Sequence, residues 1–147
     1  MLDFYCKSFS ELSTTELYDI LQLRSEVFVV EQNCVYQDVD SKDLEAYHIF
    51  GLKDGNIVAY ARIFKPGAYF EYASIGRVAV KMNERKFGYG NDLLNFTINF
   101  IHKTFNESII KLSAQTYLRK FYESHGFEKI GTDYLEDGIP HIAMIKK

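Results

Sequence analysis

The sequence predicts one α+β domain built around a mixed, mostly antiparallel sheet. Strand-like apolar runs recur along the whole chain, and two of them, at 47–52 and 57–64, are joined by the hairpin signal Lys-Asp-Gly-Asn at 53–56. Amphipathic helical periodicity separates other strand-like runs. With 147 residues, of which 47% are apolar, the chain is long enough to form one compact core.

The first half of the chain is expected to hold a strand, a helix, a long loop and the hairpin. Residues 2–9 alternate loosely and predict the first strand. Ser13 and Glu16 form a capping box, which satisfies the first N–H groups of a helix that gives way around residues 31–33. A polar loop then runs to about residue 45. Its length favours a functional role, because long ordered loops in small domains usually carry function.

The second half is expected to alternate strands with helices. A long strand is predicted at 69–80, and Gly76 inside it is typical of a bulge or of a close approach by a ligand. The other predicted elements are a helix at 90–103, a strand at 109–114, a helix at 117–125 and closing strands near 127–134 and 139–146.

The composition argues against several classes of partner. The net charge of −3 lacks the basic excess of a nucleic-acid-coating protein, and no apolar run approaches the ~20 residues that span a bilayer. We therefore expect no nucleic-acid or membrane partner. Cys6 and Cys34 lack metal-ligand spacing, so no metal site is predicted, and reduced thiols in a cytoplasmic protein are expected. Cys34 lies in the polar loop as either a reactive thiol or a small packed residue.

Residues 78–90 are the most informative segment, because they predict a strand, a polar loop and the start of a helix. The loop carries Arg85, followed by Gly88 and Gly90. Glycines remove side-chain bulk where backbone N–H groups must approach a ligand, and a helix N-terminus attracts anions. The segment suits a phosphorylated ligand, most naturally the pyrophosphate of a cofactor; a tight strand-to-helix turn is the structural alternative.

Two common phosphate motifs do not fit this loop. A Walker loop requires Lys and then Ser or Thr after its last glycine, where this chain has Asn91 and Asp92. The dinucleotide fingerprint requires a small residue where Leu93 stands, and its glycines follow the strand more closely. The loop belongs to neither nucleotide class.

Two blocks of the chain resemble the acetyl-CoA-binding core of the GNAT N-acetyltransferase superfamily. The first is Val-x-Val at 78–80 followed by Arg-x-x-Gly-x-Gly at 85–90, and the second is Phe-Tyr-Glu-Ser-His-Gly-Phe at 121–127. Segments 23–32 and 136–141 resemble its ElaA-like branch. The resemblance covers nearly the whole chain. It implies an acyl-CoA N-acyltransferase fold, with about four helices around the sheet.

The resemblance implies that acetyl-CoA, or coenzyme A after reaction, binds between two splayed strands as a co-substrate. Main-chain groups of Val78, Ala79 and Val80 would contact the pantetheine arm, and an N–H group there would polarise the thioester carbonyl. Gln115 stands where the family often has a pantetheine-contacting asparagine, and it reaches one methylene further. The loop positions implied for the cofactor are Arg85, Lys86, Phe87, Gly88, Tyr89 and Gly90.

Tyr122 is the best catalytic candidate in this pattern. A phenol near the CoA sulfur can protonate the departing thiolate, although a packed core tyrosine is the structural alternative. Glu71, placed at the start of the predicted strand 69–80, is the candidate base that takes a proton from the amine directly or through a water. Phe121 and Phe127 are expected to pack.

Six residues are expected on the acceptor side of the cleft: Arg24, Glu31, Gln32, Asp40, His48 and His141. Glu31 and Asp40 would bind a cationic amine, unless they are solvated surface groups. His48 and His141 are expected to face the cleft. For Arg24, a buried Arg–Glu pair that fixes the helix-to-loop turn is an equal alternative.

The predicted function is transfer of an acetyl group from acetyl-CoA to an amine acceptor by direct attack, without an acyl-enzyme or a metal. A non-catalytic acyl-CoA-binding module is the alternative, and it would need the glycine-bearing loop but not Tyr122. The family habit of forming dimers makes a homodimer a reasonable expectation. The sequence carries no code for the identity of the acceptor.

Overall fold

The computed structural model describes residues 2–147, and these form seven strands and three α-helices. The strands are β1 (Asp3–Ser8), β2 (Tyr47–Lys53), β3 (Asn56–Phe64), β4 (Ala73–Val80), β5 (Ile110–Gln115), β6 (Glu128–Glu136) and β7 (Ile139–Lys146). The α-helices are α1 (Thr14–Arg24), α2 (Tyr89–Thr104) and α3 (Arg119–Glu123). One sheet forms in the order β1-β2-β3-β4-β5-β7-β6. Its pairs are antiparallel except β4 with β5, which confirms the predicted mixed, mostly antiparallel sheet.

Helix α1 begins at the predicted capping box but does not continue as predicted. Ser13 Oγ accepts a hydrogen bond from the Glu16 N–H at 3.0 Å, and Glu16 Oε1 accepts one from the Ser13 N–H at 2.8 Å. The α-helical winding ends at Arg24, and the chain continues as a π-helix, Ser25–Glu31. Wide π turns inside helices frequently mark functional sites.

Strand β4 contains the predicted bulge. Gly76 pairs with Arg62 of β3, whereas Ala79 pairs with Tyr60, so β4 has one extra residue between the two pairs. Arg77, inside the bulge, has a φ of 51°. A bulge bends its strand and raises the local twist, which turns the end of β4 away from its neighbour.

Strands β4 and β5 separate after only three parallel pairs, which run from Ala73–Ile110 to Ile75–Leu112. Beyond them, residues 76–80 and 113–115 have no strand partner across the gap within the described chain. Strand β5 continues to pair with β7 as far as Gln115 and His141. The split therefore opens a gap inside an otherwise continuous sheet.

The sheet separates two hydrophobic clusters. The side covered by α2 and α3 holds the larger cluster, which includes Ile75, Leu93, Leu112, Ile142 and Met144. The side covered by α1 and the π-helix holds the smaller one, which includes Ile20, Leu23, Val27, Phe50 and Tyr60. Because successive side chains of a strand point to opposite faces, this division fixes which residues face the gap from each side.

Three predicted boundaries are shifted in the structure. Strand β4 begins at Ala73 rather than at 69, because residues 69–72 form bends. The helix predicted at 117–125 is a 3₁₀ turn, Thr116–Leu118, followed by the short α3. The loop before α2 contains a 3₁₀ helix, Met82–Phe87, and the residue before α2 is Gly88 with a φ of 76°, which glycine adopts without strain.

No helix in residues 2–147 is both long and apolar enough to cross a membrane.

Candidate functional site

A cavity of about 570 Å³ opens where β4 and β5 separate. It extends from the loop before α2, through the gap between the two strands, to the side of the sheet that α1 covers. The predicted residues that the structure brings together in its lining are Val78, Ala79, Val80, Arg85, Gly90, Gln115, Tyr122, Glu31, Gln32 and His141.

Four predicted cofactor residues, 86–89, lie outside this lining, in the segment that leads into α2. Phe87 is half-exposed, and the Lys53 ammonium lies 4.3 Å from the centre of its ring. Lys86 is exposed, whereas the Tyr89 side chain is buried in the larger core cluster. A role for Gly88 and its neighbours through backbone N–H groups stays a prediction.

Tyr122 both packs in the core and lines the cavity. Its side chain is 5% exposed, and its ring meets Phe121 and Phe127 edge-on, with ring centroids 5.1 and 6.0 Å apart. Phe127 is buried as predicted, whereas Phe121 also lines the cavity. Burial raises the pKa of Tyr122, so the hydroxyl keeps its proton at neutral pH. A proton donor therefore borders the gap.

Gln32 and Gln115 are joined by a reciprocal amide pair. Each side-chain N–H₂ donates to the other side-chain oxygen at 3.2 Å. Gln32 follows the π-helix and Gln115 ends β5, so the pair crosses the cavity. Gln115, which was predicted to contact the cofactor, thus contacts Gln32, which was predicted to contact the acceptor.

Arg85 is bound to Glu31 on the opposite wall. The two terminal guanidinium nitrogens donate to the Glu31 carboxylate at 2.6 and 2.7 Å, and Nε donates to the Val80 carbonyl oxygen at 2.9 Å. Glu31 therefore balances the charge of Arg85, and its carboxylate is not free for a cationic amine.

Arg24 does not reach the cavity, and its predicted role as an acceptor contact is wrong. Its guanidinium is fully buried, and it donates to Asp38 at 2.9 Å and to Asp43 at 2.7 Å. The alternative of a buried ion pair is correct in kind, but the partners are two aspartates of the long loop rather than Glu31. This pairing ties the loop to the end of α1.

Asp40 is also engaged by arginines rather than free for a cationic substrate. Its two carboxylate oxygens accept hydrogen bonds from Arg62 at 2.8 and 3.0 Å, and Arg77 lies 3.4 Å away. Burial by itself would raise the pKa of Asp40 and of Asp43, but hydrogen bonds and charge from the arginines outweigh burial and hold both pKa values below the ordinary range. The three loop aspartates and three arginines form a charge-balanced network.

His48 belongs to this network, and the prediction that it faces the cleft is wrong. It is fully buried, with Nδ1 2.6 Å from the Tyr60 hydroxyl and Nε2 3.0 Å from the Asp43 carbonyl oxygen. Burial lowers its pKa, which favours the neutral ring. The partners on β3 and in the loop come from distant parts of the sequence, so local pattern could not place this ring.

Glu71 is exposed and lies outside the cavity lining. It was expected to enter a strand, but the chain bends at 69–72 and turns the residue toward solvent before β4 begins. The structure does not bring it to the site.

Several lining residues were missed by sequence reasoning. On the α1 side, Arg62, Phe64 and Ser74 share one face of β3 and β4, because Phe64 pairs with Ser74 and Arg62 with Gly76. Arg62 Nε and Ser74 Oγ are buried without a hydrogen-bond partner in the described chain. The period of two in β3 carries this signal, because it places Arg62 and Phe64 on one face.

The hairpin between β6 and β7 forms a further wall, held to the long loop by a contact from Cys34. The Cys34 Sγ lies 3.4 Å from the Asp137 carbonyl oxygen, and the residue lines the cavity. The hairpin also contributes Tyr134, Glu136 and His141. Within residues 2–147, no three His, Cys, Asp or Glu side chains are grouped so as to hold a metal ion.

A parallel strand pair that splits around a cavity, in this seven-stranded order, defines the acyl-CoA N-acyltransferase fold. The chain belongs to the GNAT acetyltransferase family, because residues 13–147 match the acetyltransferase (GNAT) domain.

Related proteins agree with this assignment along the whole chain. Protein ElaA of Escherichia coli is 43% identical over 149 residues, which covers 100% of this chain and 97% of ElaA. The crystal structure of E. coli ElaA has a TM-score of 0.91, with 100% of both chains covered. An acyl-CoA N-acyltransferase from Pseudomonas aeruginosa has a TM-score of 0.94 at 39% identity, again with 100% of both chains covered.

A more distant structure shares the fold alone. An aminoglycoside 6′-N-acetyltransferase complexed with coenzyme A has a TM-score of 0.72 at 14% identity, over 97% of this chain and 96% of that one.

Proposed function

We propose that this protein transfers an acetyl group from acetyl-CoA to an amine by direct attack within a ternary complex. The observation that carries the proposal is the gap between β4 and β5 beyond Ile75 and Leu112, lined on one side by Tyr122. Family membership supports acyl transfer in general, and the choice of an acetyl group and an amine is part of the proposal.

The residues of the gap fit an acyl-CoA. The free edge of β4 at 78–80 offers main-chain groups to an extended amide-bearing chain, as an added strand would use them. Gly88 and Gly90 leave the start of α2 unobstructed for a pyrophosphate, since a Cβ at Gly88 would meet no atom within 4 Å. Arg85 would supply positive charge once its bond to Glu31 exchanges for phosphate.

The reaction needs a nucleophile, a polarised carbonyl and a protonated leaving group. Acetyl-CoA supplies the thioester carbonyl, and a main-chain N–H of the β4 edge would stabilise its developing negative charge. The Tyr122 hydroxyl, kept protonated by burial, would donate its proton to the CoA sulfur. The amine would approach from the side of the sheet lined by Arg62, Phe64 and Ser74.

The lining of the cavity favours a different amine acceptor from the one expected from the sequence. Both carboxylates expected to bind a cationic amine, Glu31 and Asp40, are bound by Arg85 and Arg62. The α1 side of the cavity instead presents the aromatic rings of Phe28, Tyr36, Phe64, Tyr69 and Phe70. We infer that an amine with an aromatic or apolar body fits better than a polyamine.

A non-catalytic acyl-CoA-binding module remains the second candidate, because the gap and the loop alone would serve it. The two candidates differ in turnover. A binding module would take up acetyl-CoA without releasing free thiol in the presence of any amine.

Calorimetric titration with acetyl-CoA, with coenzyme A and ATP as comparison ligands, tests the proposal. We expect dissociation constants in the micromolar range or tighter for both CoA species and no binding of ATP. Thiol release from acetyl-CoA in an amine screen then separates the enzyme from the binding module. Absence of CoA binding would overturn both candidates.

Gly88→Asp tests the loop with a matched control. It places bulk and negative charge against the expected pyrophosphate, so CoA binding should be lost. Gly131→Asp on β6 is the control, because Gly131 has a similar φ of 71°, open space around its Cβ position and no place in the cavity lining. Equal CoA affinity in the two variants would show that the loop is only a tight turn and does not bind the pyrophosphate.

A further inference from the structure

We propose that His141 is the general base of the reaction and that Glu136 passes the released proton to solvent. This inference rests on the acyl transfer proposed above and replaces Glu71, the base expected from the sequence.

His141 faces the gap from the side opposite Tyr122. It pairs with Gln115 across β5 and β7, whereas the neighbouring pair, Ala114 with Ile142, lies in the core cluster below α2 and α3, together with Tyr122. Because adjacent strand residues point to opposite faces, His141 points to the α1 side. The acceptor amine and the leaving sulfur would therefore meet different residues on different faces.

The hydrogen bonds of His141 fix which ring nitrogen is free. Nδ1 lies 2.7 Å from the Ile139 carbonyl oxygen, which can only accept a hydrogen bond. In the neutral ring, Nδ1 must therefore carry the proton and Nε2 must hold the lone pair. This is the state that a base requires, in a residue that is buried yet lines the cavity.

Glu136 lies where a proton taken by Nε2 would be received. The distance from Nε2 to Glu136 Oε2 is 3.5 Å, longer than a good hydrogen bond. Once Nε2 takes a proton, it can donate to this carboxylate. The Glu136 side chain is 49% exposed and that of His141 only 9%, so the pair joins the cavity to solvent.

Three other polar residues near His141 are engaged by partners of their own. Tyr134 stacks beside the ring with centroids 6.1 Å apart, and its hydroxyl is hydrogen-bonded to Ser113. Gln115 is bound to Gln32, and Glu31 is bound to Arg85. The carboxylate of Asp137, at the hairpin turn, belongs to an exposed residue. The His141–Glu136 pair is therefore the best-placed proton acceptor in the lining.

The proton balance defines the step. A protonated amine and acetyl-CoA become an amide, free CoA thiol and one released proton. The nitrogen forms a bond to the thioester carbon while the carbon–sulfur bond breaks, and the nitrogen loses two protons in all. One of these protons restores the proton that Tyr122 gives to the sulfur. The other is taken up by His141 Nε2 and passes through Glu136 to solvent.

The test compares two acceptors in wild-type protein and in His141→Gln. The probes are 2-phenylethylamine, which is protonated at neutral pH, and aniline, which is not. We expect His141→Gln to lower kcat with 2-phenylethylamine by about 10²- to 10⁴-fold, with a smaller loss for aniline. The calorimetric affinity for acetyl-CoA should stay unchanged. Glu136→Gln should lower kcat by about 5-fold, as expected for loss of a partly exposed ion pair.

His102→Gln is the matched control, because His102 lies near the end of α2 and outside the cavity lining. Equal losses with both amines, a change in KM alone, or a loss shared by the control would overturn the base assignment. Failure of the wild-type protein to bind acetyl-CoA would overturn the proposed function itself.

A spectroscopic readout needs neither a variant nor turnover. Long-range ¹H–¹⁵N spectra of the wild-type imidazoles, recorded where the His141 ring is neutral, should show its proton on Nδ1 and a free Nε2. If the wild-type protein acetylates neither probe, this measurement decides whether His141 has the tautomer that the proposal requires. A neutral ring with its proton on Nε2 would overturn the proposal.

Discussion

The guanidinium of Arg85 occupies the mouth of the cavity while bound to Glu31 at 2.6 and 2.7 Å. In the proposed complex, this carboxylate would compete with a cofactor phosphate for the same nitrogens. Arg85 also donates to the Val80 carbonyl oxygen, so its stem stays in place whichever anion holds its terminal nitrogens. Glu31 is thus a resident anion that a cofactor would have to displace.

Replacing Glu31 by glutamine should therefore tighten CoA binding. Without the competing charge, we expect the dissociation constant to fall by about 2- to 5-fold, because a partly exposed ion pair contributes roughly 0–1 kcal/mol. Calorimetry at low ionic strength measures the change most clearly, since salt screens the competition. Glu128→Gln on β6, outside the cavity, is the control; weaker CoA binding by Glu31→Gln would show that Glu31 assists the cofactor.

Tyr122→Phe should separate chemistry from binding. The ring would keep its contacts with Phe121 and Phe127, but the buried proton donor would be lost. We expect kcat for thiol release to fall by about 10²-fold or more, with little change in CoA affinity. Tyr18→Phe, at a well-exposed position on α1, controls for loss of a tyrosine hydroxyl. Unchanged turnover would assign leaving-group protonation to another group or to water.

Sequence reasoning identified residues of the site best where their chemistry depends on the local chain. Arg85, Gly90 and Tyr122 all line the cavity, and each lies in a segment whose helical or loop character has a local sequence signal. Arg24 and His48 were misassigned, because their partners lie in the distant loop and on β3. The spacing of residues along the sequence does not show that three loop aspartates pair with three arginines in the fold.

At the scale of elements, the long loop before β2 is anchored by charge more than by apolar packing. Asp38, Asp40 and Asp43 each bind an arginine of α1, β3 or β4. Three exposed apolar side chains of this loop, Val35, Val39 and Leu44, take no part in the core. The loop walls the cavity, so the network supports the site as well as the fold.

Asp43→Ala should be strongly destabilising. It would leave the buried guanidiniums of Arg24 and Arg62 without a shared partner, and breaking a buried pair on one side costs about 3–5 kcal/mol. Urea unfolding measures the change in the free energy of unfolding. Asp133→Ala, which removes an exposed pair with Lys129, should cost under about 1 kcal/mol; equal losses would show that the network contributes no more than a surface pair.

For the elements, the sequence predicted local signals well and boundaries less well. The capping box at Ser13 and the hairpin turn at 53–56 form as predicted, since both are encoded within four residues. The π-helix and the bends at 69–72 were missed. Neither has a local sequence signal of the kind that marks a helix cap or a hairpin turn.

At the scale of the whole molecule, the charge network makes stability depend on pH. The pKa values of Asp40 and Asp43 are held below their unfolded values, so the folded state binds fewer protons than the unfolded chain as the pH falls. The contribution is complete above about pH 5 and is lost as the pH falls below about 4 and through the lower folded-state pKa values.

The free energy of unfolding should therefore decline steeply on acidification in the wild-type protein and less steeply in Asp43→Asn, which has no proton to gain at that position. Urea titrations at neutral pH and at several acidic values give the two slopes. Identical slopes would mean that other carboxylates govern acid unfolding.

The sequence predicted a mixed, mostly antiparallel sheet, but the pattern of apolar residues did not predict the separation of β4 from β5. Val78 and Val80 have the same side-chain chemistry as paired core residues, and both pack against the larger cluster. What distinguishes them is the extra residue after Gly76, a long-range property of register between β3 and β4. The split was expected only because the motif after it resembles a known family.

The π-helix has a consequence for where the charges on either side of it point. In an α-helix, residues seven apart lie on nearly the same face, so Arg24 and Glu31 would point the same way. The wider turns of Ser25–Glu31 rotate the second charge from the buried network to the mouth of the cavity. Ordinary α-helical winding of the same seven residues would instead point Glu31 toward the aspartates. The winding of this turn, rather than residue identity alone, keeps the two charge systems of the protein apart.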